Sequence, residues 1–551
     1  MPFYLRKIYR SNLFHSLCIG AVGAILLVLM GHHPNDDAYI TFRHSRNFAE
    51  TGLLSWNTIP PYEMGSTSPF LAFVLGALGF VFGSDSIPEL SLYLNAFLLL
   101  PFSALIYAIV KLLVSDRLVA LCSTALVCWN SYNIRIYSQG FEALLFSLVF
   151  LGSIYFLYIR KYEFGFLLAG IAPLVRPEGI FLVPVLFYFL VRRKKLPLQI
   201  LYYLVIPALY SIYAIFVYGQ IVPQSVLAKK AFFELGLNSV GEPSEIKPDL
   251  KIAWIHLAGI WDILLKPILL INGEAGVRLL GYPNRLGNFF LSKGNQLLYS
   301  ILFLYLIAIY YFLKKEGWRG FEKLSFLSYP FFFVFFLLYS VRVEFWYVPL
   351  ANSSILLLFC IGPIVFVRLG SVWWERIRNA KTLRTVYRVI FLFVFLLFAD
   401  KNLYVLNKGT HPYDELRGPI YVPAYRDKDE FERYLGYRKA AFLLEGDVQG
   451  RVFTNEVGVF GYYSKNPVID SFGLCSREVI DAYREEKKKG RTPDLWESYS
   501  VISYLRPEYV MGGMVTPEKM SKLSNPRYEL VQEVGYTAFG KPIRIFRKSS
   551  R

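Results

Sequence analysis

A long series of apolar segments, separated by short polar loops, constrains the fold of this chain more than any other feature. The segments lie at 12–30, 69–83, 88–113, 118–130, 143–159, 164–175, 180–191, 198–217, 297–314, 324–341, 348–367 and 386–401. About 20 apolar residues suffice for a helix to cross a bilayer, and several segments reach that length. Hydrophobic residues make up 55% of the chain, and its mean hydropathy is +0.39. The sequence therefore predicts a mainly α-helical, polytopic membrane protein.

Basic residues at the ends of these segments predict the orientation of the chain. Basic clusters precede the first segment and lie at 192–195, 314–315 and 376–388. Because cytoplasmic loops carry an excess of Lys and Arg, the N-terminus is predicted to be cytoplasmic. About eleven crossings satisfy the pattern if only two of the three segments between 69 and 130 span fully. The net charge of +18 then reflects contact with anionic membrane lipids, not with nucleic acid, and we expect a bacterial cytoplasmic (inner) membrane location.

The chain divides near residue 402, where the apolar segments end. Short β-like runs then alternate with polar helical stretches; the runs are Arg451–Thr454, Pro467–Ser471, Tyr509–Gly512 and Ile543–Phe546. Ser476–Lys489 is the clearest of the helical stretches. This pattern predicts a small α/β domain over 403–551, following a membrane domain over 1–402. The odd number of crossings places that domain on the periplasmic or outer side.

Two adjacent carboxylates, Asp36 and Asp37, stand in the first loop (32–68), directly after the first apolar segment. Such a pair at the end of a membrane helix is costly unless a cation, a metal or a reaction requires it. Residues 36–50 are predicted to form an amphipathic surface helix on which Asp36, Tyr39 and Arg43 share one face. Asp37, Thr41 and His44 lie beside that face. The alternative for one aspartate is capping of the helix N-terminus by Asn35 or Asp36.

Further polar islands are predicted to lie on the same side of the membrane as Asp36. They are the turn Ser66-Thr67-Ser68, Glu142, the tip Arg176–Glu178, Lys229, and the group Glu344, Trp346 and Tyr347. Charged residues at such depths usually line a cavity, and a cationic, partly aromatic cavity fits an anionic lipid head group. For Arg176 the alternative is an ion pair with Glu178 or Glu142, and for the turn it is capping of the next helix.

Several short motifs resemble those of a known family. They are Asp36-Asp37-Ala38-Tyr39-Ile40, Gly65-Ser66-Thr67-Ser68-Pro69, Gly140-Phe141-Glu142, Arg176-Pro177-Glu178-Gly179, Tyr218-Gly219 with Pro223-Gln224-Ser225 and Lys229, Trp346-Tyr347-Val348-Pro349, and 456–470 in the C-terminal domain. In this order they resemble the GT-C superfamily of integral-membrane glycosyltransferases, and most of all the bacterial arabinofuranosyltransferase B-type subgroup. The resemblance covers both the membrane part and the C-terminal domain.

The resemblance implies an inverting sugar transfer from a polyprenyl-phosphate donor to a glycan, lipid or protein acceptor. Asp36 or Asp37 would take the proton of the acceptor hydroxyl, while Arg176, Lys229 and Arg43, with the turn at Ser66, Thr67 and Ser68, would hold the donor phosphate. Tyr39, Glu142, Glu178, Glu344, Trp346 and Tyr347 would line the cavity or contact the acceptor. Mg²⁺ or Mn²⁺ held by Asp37 and Glu142 is an option, although a monophosphate donor needs no metal. The rival functions are a lipid or solute transporter and an envelope assembly protein with a C-terminal binding domain.

Overall fold

The computed structural model describes three long parts of the chain and several short pieces. The long parts are 3–235, 306–329 and 427–549, with gaps at 33–34, 115, 194–196, 491–494, 496–498, 514, 524–525 and 538–539. The short pieces are 349–350, 353–354, 357–358, 361–362, 385, 388–389 and 392. Most of the predicted crossings beyond residue 324, and the boundary near residue 402, lie outside the described residues. The number of eleven crossings therefore stays a prediction.

Apolar α-helices make up most of the first 235 residues. They are α1 (Phe3–Met30), α3 (Pro69–Phe82), α4 (Ile87–Val114), α5 (Arg117–Cys128), α7 (Ala143–Tyr158), α8 (Tyr162–Val175), α9 (Leu182–Arg193) and α10 (Pro197–Tyr218). Within the described residues, three stretches are long and apolar enough to cross a membrane, namely Leu13–Met30, Ser84–Val114 and Leu198–Tyr218. The predicted mainly helical, polytopic membrane fold is confirmed.

Small residues let these helices pack closely, as expected where lipid supplies no hydrophobic drive for helix association. Gly20 of α1 lies against α4, where an added Cβ would stand 2.7 Å from the carbonyl oxygen of Leu99. Gly170 of α8 lies in the same way against the backbone of Tyr203 in α10. The opposite face of α10 stays apolar and open, and Phe216 is 85% exposed. That face is consistent with contact to lipid.

Shorter helices connect or flank the apolar ones. They are α2 (Asp36–Thr51), α6 (Ser131–Ser138), α11 (Gln224–Leu235) and α12 (Trp318–Leu324). The α2 helix begins where the side chain of Asn35 accepts a hydrogen bond from the Asp37 amide (3.1 Å), and it ends at Gly52, whose φ is +76°. Asn35 is therefore the N-cap, and both aspartates lie in the first turn of the helix.

The described C-terminal part is an α/β domain built on a five-stranded sheet of order β2-β1-β3-β5-β4. The strands are β1 (Val452–Thr454), β2 (Val468–Asp470), β3 (Tyr509–Gly512), β4 (Tyr528–Tyr536) and β5 (Pro542–Lys548). The helices are α13 (Asp427–Leu443), α14 (Gly458–Tyr463), α15 (Arg477–Lys488), α16 (Tyr499–Leu505) and α17 (Pro517–Ser521). β1 pairs in parallel with β2 and β3, whereas β5 pairs antiparallel with β3 and β4. Four strands coincide with the predicted β-like runs, and α15 coincides with the predicted helical stretch.

The fourth strand in chain order, β4, was not predicted. Its sequence YELVQEVGY places Leu530 and Val531 side by side, and both are exposed. A half-buried strand is expected to alternate apolar and polar residues, and β4 lacks that alternation because it lies at the edge of the sheet.

Candidate active site

One face of α2 is buried against the C-terminal domain, and it carries the residues predicted to share a face. Asp36 is 8% exposed. Its two carboxylate oxygens accept hydrogen bonds from the backbone amides of Gly458 (3.1 Å) and Val459 (2.9 Å), at the start of α14. A buried carboxylate is tolerated there because two backbone donors and the positive end of a helix face it. The predicted common face is present, but the C-terminal domain covers it.

Arg43, two turns further along α2 than Asp36, is also held by that domain. Its guanidinium donates to the carbonyl oxygens of Gly461, Asn466 (3.0 Å) and Trp56 (2.6 Å). It also donates to the side chain of Asn57 (2.9 Å). These contacts argue against the predicted role of Arg43 in holding the donor phosphate, because backbone and side-chain oxygens inside the interface occupy its donor groups.

Tyr39 completes this face in an aromatic cluster. Its ring centroid lies 5.5 Å from that of Tyr462 and 5.9 Å from that of Tyr434. The hydroxyl group of Tyr39 lies 3.3 Å from Nε2 of His32. Tyr39 is thus fully packed between the first loop and the C-terminal domain.

Asp37 differs from its neighbour because its side chain is exposed. Successive residues of an α-helix project about 100° apart, so the contacts that hold Asp36 turn Asp37 away from the C-terminal domain. Asp37 lies in the first turn, where the helix dipole stabilises an ionised carboxylate. Of the two adjacent carboxylates, Asp37 is the one that an approaching substrate can reach.

The turn at Ser66-Thr67-Ser68 packs against the same helix. Thr41 and Ser66 share a hydrogen bond of 2.8 Å between their hydroxyl oxygens. His44 accepts a hydrogen bond from the amide of Gly65 (3.0 Å) on Nε2 and lies 2.7 Å from the carbonyl oxygen of Ile40 through Nδ1. Because burial lowers the pKa of His44 to about 4, the ring is neutral with its proton on Nδ1.

Within this turn the three hydroxyl residues differ in access. Ser66 and Ser68 are buried, and Thr67 is half-buried. Ser66 already bonds Thr41, and its hydroxyl also accepts a hydrogen bond from the amide of Ser68 (3.1 Å). The predicted phosphate contact is best placed at Thr67.

A buried ionic cluster joins Arg176, Glu142 and Glu178 at the ends of α7 and α8. Arg176 donates to Glu142, and its Nε and one terminal nitrogen each lie 3.3 Å from an oxygen of Glu178. All three side chains are buried. Their geometry matches the ion-pair alternative and not the predicted phosphate contact, because two carboxylates surround one guanidinium and repel a further anion.

The same cluster bears on the predicted divalent metal. Within the described residues, no group of three or more His, Cys, Asp or Glu side chains is arranged to hold a metal ion. Glu142 faces the guanidinium of Arg176, which would compete with a cation. The proposed pair of Asp37 and Glu142 therefore does not fit a metal. Glu344, Trp346 and Tyr347 lie outside the described residues, so their predicted places in the cavity stay predictions.

The predicted residue Lys229 lies half-buried on α11, close to a cavity of about 190 Å³. The cavity separates α11 from α15 and is lined by Gln224, Leu227, Lys230, Glu234, Arg477, Ile480 and Arg484. The amide of Gln224 donates to the carbonyl oxygen of Met64 (2.7 Å), which ties α11 to the first loop. The sequence did not predict this cavity, because its walls come from residues about 250 positions apart.

Glu63 is a buried residue of the first loop that the sequence did not single out. Its carboxyl group accepts a hydrogen bond from the amide of Arg477 (2.7 Å) at the start of α15. Burial raises the pKa of Glu63 to about 8. The only signal in the sequence was a lone glutamate directly before the turn, which resembles an ordinary solvated loop residue.

Together these elements form a polytopic membrane protein whose first-loop helix is held by a C-terminal α/β domain. Among solved structures, the chain is similar to ArnT from Cupriavidus metallidurans bound to undecaprenyl phosphate. The two share 13% sequence identity and a TM-score of 0.52, over 97% of both chains. ArnT in the apo state also matches, at 13% identity over 98% of both chains and a TM-score of 0.49. The likeness to the undecaprenyl phosphate-bound structure shows the fold, and the predicted polytopic, GT-C-like fold is confirmed.

Comparisons of sequence identify fewer relatives than the comparison of structures does. Residues 428–547 match a family model described as a domain of unknown function, DUF8728. No curated protein sequence matches the chain. The structural likeness is one of fold, and it does not support the arabinofuranosyltransferase B-type subgroup that the motifs resembled.

Proposed function

We propose that this chain is an inverting glycosyltransferase that moves a sugar from a polyprenyl-phosphate carrier to a cell-envelope acceptor. The observation that carries the proposal is the carboxylate pair on α2, in which Asp36 is held by two amides and Asp37 is exposed. The ArnT-like fold supports a polyprenyl-phosphate donor, because that ArnT structure contains undecaprenyl phosphate. We place the active site and the C-terminal domain on the outer face of the cytoplasmic membrane, by the bias of the basic residues.

In the proposed reaction, Asp37 acts as the general base. The acceptor hydroxyl oxygen attacks the anomeric carbon while its proton passes to the Asp37 carboxylate. The bond between the anomeric carbon and the phosphate oxygen breaks, and the polyprenyl phosphate leaves with the electron pair. Attack opposite the leaving group inverts the configuration at that carbon. A phosphate is already a weak base, so the reaction needs no strong general acid.

Positive charge is needed beside the departing phosphate, and the described residues offer it on α11. Lys229, half-buried on that helix, is the candidate for this charge. We assign the hydrogen bond from a hydroxyl group to Thr67, which is half-buried on the turn beside α2. The acceptor is a glycan, a lipid or a protein, and the sugar is a pentose or a hexose.

The test uses the full-length protein in nanodiscs. Polyprenyl-phosphate donors carrying a radiolabelled pentose or hexose are incubated with polysaccharide, lipid or protein fractions of bacterial envelopes. We expect label to enter one fraction, and we expect Asp37→Asn to lower the rate at least about a hundredfold, the scale of a lost general base. Glu50→Gln, on the exposed end of the same helix, is the matched control and should keep the rate. Full turnover by Asp37→Asn would refute the assignment. In sealed proteoliposomes, label that crosses the membrane without a new glycosidic bond would favour a transporter.

A further inference from the structure

We propose that the C-terminal domain positions the catalytic helix α2, and that Asp36 is the positioning residue through which it acts. This inference rests on the proposed function and assigns a role to the domain that matches the family of unknown function. In this proposal Asp37 contacts the substrate, whereas Asp36 affects the reaction only by fixing the position of Asp37. The domain is then a working part of the active site and not a separate binding module.

The first argument is the kind of contact between the first loop and the C-terminal domain. Beside the ring contacts of Tyr39, charged and polar side chains of the loop bond the backbone of the domain at several points. Asp36 accepts from the amides of Gly458 and Val459, and Arg43 donates to the carbonyl oxygens of Gly461 and Asn466. These buried charges have fixed partners of opposite polarity, so the domain has one favourable position on α2.

The contact continues along the first loop beyond α2. Trp56 donates through Nε1 to the carbonyl oxygen of Val468 (2.9 Å). Asn57 accepts from the amide of Val468 (3.0 Å) and donates to its carbonyl oxygen (3.1 Å). Both backbone groups of a β2 residue are thereby paired with the loop. The loop thus extends the hydrogen bonding of the strand, and a shift of the domain breaks several bonds at once.

The second argument is the closeness of the two backbones. A Cβ added at Gly458 would overlap the carbonyl oxygen of Asp36. A Cβ added at Gly461 would stand 2.9 Å from Trp56 and 3.1 Å from Cδ of Arg43. Only glycine fits at these two points of α14. The start of α2 therefore lies directly on the backbone of the domain, with no side chain between them to absorb a displacement.

The consequence concerns Asp37, which is the next residue in the chain. Its direction is set by the rotation of the first turn of α2, and that rotation is fixed where Asp36 meets α14. Because a reaction is sensitive to displacements of about 1 Å in its catalytic groups, a small rotation of this turn lowers the rate. The fold places this control in residues far from Asp37 in sequence.

The experiment compares two glycine substitutions in the full-length protein in nanodiscs. Gly458→Ala inserts a methyl group between α14 and Asp36, whereas Gly446→Ala, in the same domain, meets nothing within 4 Å and is the matched control. We expect Gly458→Ala to lower kcat at least about tenfold with little change in the KM of the donor. We also expect a shift of the acid limb of the pH profile of kcat, because the surroundings of Asp37 change. Gly446→Ala should behave as the unaltered protein does.

A second variant keeps the test decisive if Gly458→Ala does not fold. Asn57→Ala removes the bonds to Val468 and the bond from Arg43, but it leaves the contact between Asp36 and α14 in place. We expect a smaller fall in kcat in the same sense. If both variants keep kcat, or raise the KM of the donor instead, the positioning role is refuted. If Asp37→Asn also keeps its rate, the proposed function itself fails, which separates the two conclusions.

Discussion

Replacing Glu63 with glutamine should remove a pH dependence from the contact between the first loop and the C-terminal domain. The carboxyl group is buried and accepts a hydrogen bond from the amide of Arg477, and an amide oxygen at the same place can accept that bond as well. Burial raises the pKa of Glu63 from 4.5 to about 8 in the folded protein. In the separated state the group faces water and ionises near its ordinary pKa. The docked state therefore binds more protons than the undocked state between pH 4.5 and 8.

This difference in bound protons sets the sign and the size of the pH dependence of undocking. The state that binds more protons loses stability as the pH rises, so the free energy of undocking falls between about pH 4.5 and pH 8. Each pH unit accounts for about 1.4 kcal/mol, which gives roughly 5 kcal/mol over the whole window as an upper value. Comparison of the unaltered protein with Glu63→Gln isolates the contribution of Glu63.

The native thiol of Cys475 offers the assay, because it is buried against Gly65 at this contact. In a chain whose other cysteines are replaced by serine, the rate of labelling by a thiol reagent measures how often the contact opens. At pH 9 we expect the thiol of Cys475 to be labelled up to about a thousandfold more slowly in the Glu63→Gln variant than in the protein with Glu63. Near pH 5 we expect equal labelling rates. Glu445→Gln, an exposed position in the same domain, is the control. Parallel profiles of the two proteins from pH 5 to 9 would show that Glu63 is ionised when docked and would refute the argument.

Four further outcomes are expected. Asp36→Asn and Asp37→Asn should each lower the rate of sugar transfer at least about a hundredfold. Only Asp37→Asn should abolish the acid limb of the pH profile of kcat. If both variants keep near-normal turnover, the catalytic site lies elsewhere. Arg176→Met should lower the free energy of unfolding by about 3–5 kcal/mol because it leaves two buried carboxylates without a cation. Adding Glu178→Met should recover part of that loss. Recovery of sugar transfer in the double variant would confirm that Arg176 does not hold the donor. Arg484→Ala, at the cavity beside α11, should raise the KM of an anionic acceptor several-fold and leave the KM of the donor unchanged. An acceptor KM equal to that of the unaltered protein would exclude an acceptor site there. A protease added outside intact spheroplasts should cleave the C-terminal domain, whereas protection of the domain would contradict the predicted orientation.

Local spacing in the sequence predicted much of α2 correctly. Positions 36, 39 and 43 are three and four residues apart, so Asp36, Tyr39 and Arg43 had to share a face in any helix through them. What covers that face was not predictable in the same way. The partners of Asp36 are 422 and 423 residues away, and no local pattern identifies contacts between segments so far apart.

The tip at Arg176 shows a different limit of the sequence. An arginine and a glutamate two residues apart fit both a phosphate site and an ion pair, and the pattern is the same for both. The choice depended on Glu142, which lies 34 residues earlier and supplies the second carboxylate. Glu63 shows a third limit, because its pKa comes from burial by α15 and not from its neighbours in the chain.

The separation between Asp36 and α14 also has a consequence for the synthesis of the protein. The first loop emerges early, whereas Gly458 and Val459 are added more than four hundred residues later. During that interval the carboxylate of Asp36 and the guanidinium of Arg43 lack the backbone partners that hold them in the finished protein. A nascent or truncated chain that ends before α14 therefore has all its early membrane helices and still lacks an ordered catalytic loop. Under the proposed function, catalytic competence requires the folded last quarter of the chain, and we expect an incomplete product in the membrane to be inactive.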